Sequence, residues 1–480
     1  MKVRPRLRLA AGLVAIYAIS TSFFLIVPPN ANSDELWSAR AAWFLYENPK
    51  ILFEDSKIVT YEFPGSLSIP GEVLGRGIPH PCFFEKVHLP ASCQAIRSDD
   101  YSFVGQFDRV FRSAPFYFAV GFGMKSGVLD NAYLSGKLTA LLLNLSILTV
   151  SILLLRKIFN NIQLVLSLGI SALPIYVFSL NGISPISFEI SCGFLFVAAL
   201  IRCSNEPNYW NYSVCLGSIL LLGAARPLGA VWGMLLLISI SLLVRTTRFL
   251  RNIVVVGSAI SLFFQSQIDN YTFRFGDGNR YRINATPEFY IEELIRVIIN
   301  SGNWVRQIFG MWTFAGSVEL PFLFLMLSVF SSFLVVSRYF HRRLLSATRF
   351  ILIVVLMPVF AVPLLFSLLW ANQWPMWWSG RYGLPYILPM LFVLALNLKL
   401  PDLILPSIFS LTILFVAVIF NWARFNWGLY PNSTPIIQNT QAFSVLRNSI
   451  IIFSILAYLF LSANNLYSVI RTSTKSAPKS

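Results

Sequence analysis

Two adjacent carboxylates, Asp34 and Glu35, follow the first apolar run of the chain, in the stretch "PPNANSDELWSAR" over residues 28–40. A carboxylate there can do two kinds of work. It can cap the next helix, because Asn, Ser and Asp side chains suit a helix N-terminus and acidic groups suit the positive end of the helix dipole. Alternatively, partly shielded from water at a membrane interface, it can take a proton from an attacking hydroxyl, or hold a metal, beside a lipid-borne substrate. Spacing by itself leaves both readings open.

Three arginines occupy comparable positions. Arg226 and Pro227 interrupt the apolar stretch "LLLGAARPLGAVWG" (220–233) and divide it into two short spans. A guanidinium there is costly unless it pairs or reaches the interface. A phosphate headgroup is a natural partner, since the guanidinium fork matches phosphate oxygens; an arginine snorkelling at a helix hairpin is the alternative. Arg381 stands in "WWSGRYGLPYILP", flanked by Gly380 and Gly383, which let a ligand approach the backbone. Arg306 and Glu319 lie together in "GNWVRQIFGMWTFAGSVELP" (302–321). Of the three histidines, His341 lies in a basic turn, while His80 and His88 share a long polar loop with Cys82 and Cys93. That cysteine pair, with no His or Cys partner at metal spacing, is the disulfide candidate for an oxidising compartment.

These residues are positioned by apolar helices. Of the 480 residues, 56% are hydrophobic and 12% charged, with a mean hydropathy of +0.66. Such a chain cannot hide its apolar side chains in one water-soluble core, so it is expected to be an all-α, polytopic integral membrane protein. Its apolar runs match the roughly 20 residues a helix needs to cross hydrocarbon about 30 Å thick. The net charge of +16 comes from Lys and Arg at the ends of apolar runs and in one long loop, with no basic helix or stacking platform. Topology and anionic lipid account for most of it, and nucleic acid is not an expected partner.

Placing the spans by hydropathy and testing them against the cytoplasmic excess of Lys and Arg predicts about twelve helices, with both termini cytoplasmic. The first, at about 9–28, has a basic flank and no small-residue cleavage site, and is read as a retained helix. The others fall at about 133–155, 163–180, 186–201, 211–225, 228–244, 253–268, 318–337, 349–369, 382–398, 403–420 and 444–462. The apolar stretch 113–129 is expected to lie in the outer interface as an amphipathic helix, because a crossing there would invert every later basic loop. A single membrane domain over 1–480 results, with large outer segments at 29–132 and 269–317, the second carrying another amphipathic helix. Glu189 is the main acidic residue inside a span. No Walker A loop, dinucleotide-binding glycine motif or H-E-x-x-H is present, which argues against an ATP-driven pump or a zinc protease.

Taken in order, Asp34-Glu35, "APFYF" (114–118), Arg226-Pro227, "GMWTFAGSVELP" (310–321) and "GRYGLP" (380–385) resemble the motifs of a family of bacterial membrane proteins, domain-of-unknown-function family 2142. The order covers nearly the whole chain. Two departures stand out: Ser38 replaces the family's histidine three residues after the Glu, and the fourth motif lacks the usual Gly-Trp and Asp.

That family in turn resembles the C-type glycosyltransferases, which use lipid-linked sugar donors. The resemblance implies a multi-pass enzyme of the bacterial inner membrane, acting on its outer face among membrane lipids. A polyprenyl-phosphate sugar would be the donor and a cell-envelope glycan or glycolipid the acceptor. Arg226 and Arg381, with Arg306 nearby, would bind the donor phosphate. Asp34 or Glu35 would deprotonate the acceptor, with inversion at the anomeric carbon, and a divalent metal is left open. A flippase for a lipid-linked glycan would use the same arginines without chemistry, and a non-catalytic envelope scaffold is the third reading.

Overall fold

The computed structural model describes residues 35–47, 113–275 (apart from 130–131, 227 and 245), 322–340 and 380–426, with parts of 12–21 and 288–299 and a few isolated positions. Among these residues the fold is all helical, with no strand. In chain order the helices are α1 (Glu35–Glu47), α2 (Ala114–Ser126), α3 (Ala132–Leu155), α4 (Asn161–Ser171), α5 (Pro174–Leu180), α6 (Pro185–Asn205) and α7 (Tyr209–Ala225). They continue with α8 (Gly229–Leu243), α9 (Arg248–Phe275), α10 (Phe322–Phe340), a 3₁₀ turn at Gly380–Gly383, α11 (Leu384–Leu396) and α12 (Leu400–Asn426).

Three of these, α3, α6 and the Leu400–Ala417 part of α12, are long and apolar enough to cross a membrane, and a fourth span results if α4 and α5 are taken together. Large apolar side chains also face outward, among them Leu142, Val150 and Leu153 of α3 and Val255, Val256 and Phe263 of α9. A water-exposed surface would rarely carry so many together. The chain is a membrane-embedded helical protein. Helices α3 to α12 overlap the expected runs, but α7, α8 and α11 are shorter than the about 20 residues of a full crossing. The span expected over 349–369, apart from Val362 and Leu365, the span expected over 444–462 and the disulfide candidate lie outside the described residues.

Three local expectations change. The span expected at 163–180 is not continuous: α4 and α5 meet at 89°. Pro174 has no N–H, and its ring drives Leu173 into an extended conformation, φ −60° and ψ 152°. Helix α9 continues through Phe275, into the segment expected to be a loop from 269. Helix α2 is not amphipathic, because the face turned away from the bundle carries Phe118 and Phe122. It runs antiparallel along α3, Gly123 lying against Thr139 and Gly136 against Met124.

Helices α1 and α2 run side by side in the same direction. Ser38 meets Tyr117 at 3.5 Å, Gly121 lies against the Ala42 carbonyl, and Lys125 pairs with Glu47 and sits 4.4 Å over the Trp43 ring. Gly121 permits this approach, since a Cβ there would collide with the Ala42 backbone.

Helix α6 is the axis of the bundle, buried along almost its whole length. Two of its serines are met by neighbours: Asn144 of α3 donates to Ser187 Oγ at 3.1 Å, Ser191 Oγ donates to Asn144 Oδ1 at 2.9 Å, and Tyr176 shares a 2.8 Å bond with Ser191. Within hydrocarbon such bonds tie helices together where apolar contact gives little preference. One proline inside a helix is treated the same way. Pro406 cannot donate to the carbonyl of Asp402, and Arg338 Nη1 of α10 donates to that oxygen instead, at 2.7 Å. Pro389 frees the Pro385 carbonyl, against which α6 presents Gly193, where a Cβ would stand 2.6 Å from the oxygen.

Candidate functional site

The site begins at the break between α7 and α8. Arg226 precedes Pro227 and is extended, φ −161° and ψ 160°, as the residue before a proline is driven to be. Its carbonyl accepts from the Gly229 N–H at 2.9 Å. Gly229 packs on the Leu222 carbonyl with no room for a Cβ, so the two short helices fold tightly back.

The turn delivers the Arg226 side chain to α6. Its Nη1 stands 3.7 Å from Oε2 of Glu189; the carboxylate side chain is 1% exposed and the guanidinium side chain 22%. The guanidinium also lies 4.8 Å from the centroid of the Tyr382 ring, a cation–π contact. Tyr382 belongs to the 3₁₀ turn that opens α11, and the fit of Pro385 against Gly193, one helical turn along from Glu189, holds that turn in place.

Helix α2 enters from the other side. Ser113 Oγ donates to the carbonyl of Ala225, the residue before Arg226. Phe116 packs on Phe188, the residue before Glu189, with ring centroids 5.6 Å apart. Next to Phe116, Tyr117 reaches Ser38 of α1, one helical turn after Glu35. A continuous set of contacts therefore runs from α1 through "APFYF" and Glu189 to Arg226 and "GRYGLP".

Of the residues expected at the site, Arg226 is central, and Glu35 is the first residue of α1. Arg381 lies in the 3₁₀ turn next to Tyr382. Asp34, Arg306, Cys82 and Cys93 lie outside the described residues. Among the described residues no cluster of three or more His, Cys, Asp or Glu could hold a metal ion.

Tyr382 and two buried cations elsewhere in the bundle were not anticipated. Tyr382 was hidden beside the more conspicuous Arg381. Lys137 of α3 and Arg40 of α1 are buried at 1% and 8% exposure, and burial lowers the Arg40 guanidinium to about 10, still cationic at neutral pH. Lys137 did carry a signal: it is a lysine inside the apolar run of α3. Comparison of the chain with protein-family models, with curated proteins and with solved structures finds no match.

Proposed function

We propose that the protein is a membrane glycosyltransferase. It moves a sugar from a polyprenyl-phosphate donor to a cell-envelope glycan or glycolipid acceptor on the outer face of the bacterial inner membrane. The observation that supports this reading is the Glu189–Arg226 pair with its Tyr382 wall, set where the helix begun by Glu35, "APFYF" and "GRYGLP" meet. A guanidinium that is partly open, at the edge of a membrane-embedded bundle, suits a lipid phosphate.

In this scheme the polyprenyl tail lies between helices and Arg226, with Arg381 and Arg306, holds the phosphate. The acceptor oxygen attacks the anomeric carbon from the face opposite the phosphate, and the bond from that carbon to the phosphate oxygen breaks. The acceptor proton passes to Asp34 or Glu35, polyprenyl phosphate leaves with the electron pair, and the configuration inverts. Purified protein in detergent, given a polyprenyl-phosphate sugar and an acceptor glycan, is expected to release polyprenyl phosphate. Asp34→Asn or Glu35→Gln is expected to abolish that release while insertion stays normal, and full turnover in both variants would sink the proposal.

The 89° break between α4 and α5 and a charged pair among membrane helices favour a second reading, a flippase for a lipid-linked glycan. Broken helices and intramembrane charges are common at transport sites. In sealed vesicles a flippase would move the intact donor between leaflets without releasing polyprenyl phosphate.

A further inference from the structure

The Glu189–Arg226 pair leaves hydrogen-bonding capacity unspent on both sides. At 3.7 Å, Oε2 and Nη1 are beyond hydrogen-bond reach. Oε1 of Glu189 is buried and, among the described residues, accepts no hydrogen bond. Among the described residues the guanidinium meets this carboxylate and the Tyr382 ring, and neither contact spends one of its N–H donors in a hydrogen bond. The contrast on the same helix is sharp: Ser187 and Ser191 are fully engaged with Asn144 and Tyr176. A buried carboxylate oxygen without a donor is costly and calls for a role.

We infer that this place binds a phosphate ester carrying a hydroxyl next to the phosphate, the guanidinium taking phosphate oxygens and Oε1 of Glu189 accepting from the hydroxyl. The assignment rests on reading Arg226 as the phosphate-binding group. The open side of Arg226 admits the phosphate, which replaces Oε2 at the guanidinium. Glu189 then does two things. It repels a bare phosphate, because like charges are brought together, and it rewards a ligand that arrives with a neutral donor. The pair thus selects phosphate esters of polyols over phosphate alone. Two sources share that chemistry, the sugar of a lipid-linked donor and the glycerol headgroup of an anionic phospholipid.

The test is equilibrium binding to the full-length protein in detergent with three probes that each carry one negative charge: a short-chain polyprenyl phosphohexose, the same polyprenyl phosphate without sugar as its methyl ester, and a short-chain phosphatidylglycerol. The wild type is expected to prefer at least one hydroxyl-bearing probe over the methyl ester by about tenfold or more, as a hydrogen bond to a charged group implies. Preference for the phosphohexose assigns the sugar donor, and preference for phosphatidylglycerol assigns the lipid headgroup. Glu189→Ala, and Glu189→Gln with its nearly unchanged shape, should reduce that preference and bind the methyl ester as well as the wild type or better. Arg226→Lys should weaken all three probes. An unaltered preference in both Glu189 variants, or a loss of all three probes alike, overturns the inference. Selective binding without any sugar transfer would overturn the enzymatic reading and leave this one standing, whereas transfer with no selectivity would do the reverse.

Discussion

Removing the two partners of the Glu189–Arg226 pair should have unequal consequences. At the observed 3.7 Å, an effective dielectric constant of about 20 gives an attraction of about 4.5 kcal/mol. Deleting Arg226 leaves a carboxylate that is 1% exposed with no counter-charge among the described residues, and breaking a buried pair in this way costs about 3–5 kcal/mol. Deleting the charge of Glu189 leaves a guanidinium that still reaches the surface at 22% exposure and keeps the Tyr382 ring, so the cost should be about 1 kcal/mol or less. The double variant Arg226→Ala/Glu189→Gln should recover about 2 kcal/mol of the loss, a coupling of about 2–3 kcal/mol. Thermal unfolding in detergent of the wild type, both single variants and the double variant completes the cycle. Equal losses in the two single variants, or a double variant less stable than Arg226→Ala, would refute the reasoning.

Two further perturbations test the supports of the site. Gly193→Ala places a Cβ 2.6 Å from the Pro385 carbonyl and 3.0 Å from Pro389 Cγ, both rigid; the overpacking should cost about 1–3 kcal/mol in thermal stability, and wild-type stability would refute the close α6–α11 fit. Arg338→Ala should cost about 1–3 kcal/mol by stranding the Asp402 carbonyl. In a Pro406→Ala background, where residue 406 can donate to that oxygen, the same change should cost clearly less, and an equal cost would show that Arg338 has no such role.

The positions of most helices were legible because a crossing segment must be apolar over its full length, and α3 to α12 each fall on an apolar run. Their interruptions were less so. Pro174 sits inside an apolar run, and hydropathy averaged over the run does not register the 89° turn that one missing N–H allows. Arg226 could be singled out from its sequence neighbours because a charge in an apolar stretch is costly wherever it lies. Its partner could not be chosen, since Glu189 belongs to a different helix and periodicity within a run says nothing about which runs are adjacent. The contrast between Arg381 and Tyr382 has the same origin. Charge drew attention to the first, while the contact with Arg226 is made by the ring of the second.

The parallel course of α1 and α2 has a consequence for the chain that joins them. Parallel neighbours cannot be linked by a tight turn. The chain leaves α1 at Glu47, beside Lys125, and re-enters at Ser113, beside the site, a return of about 18 Å along helices that rise 1.5 Å per residue. Extended chain covers that distance in about six residues, and the stretch between Glu47 and Ala114 is roughly ten times as long. Whatever that surplus carries is tethered at both ends to one rigid helix pair. Its local concentration at the Arg226 junction is therefore set by the tether and not by diffusion.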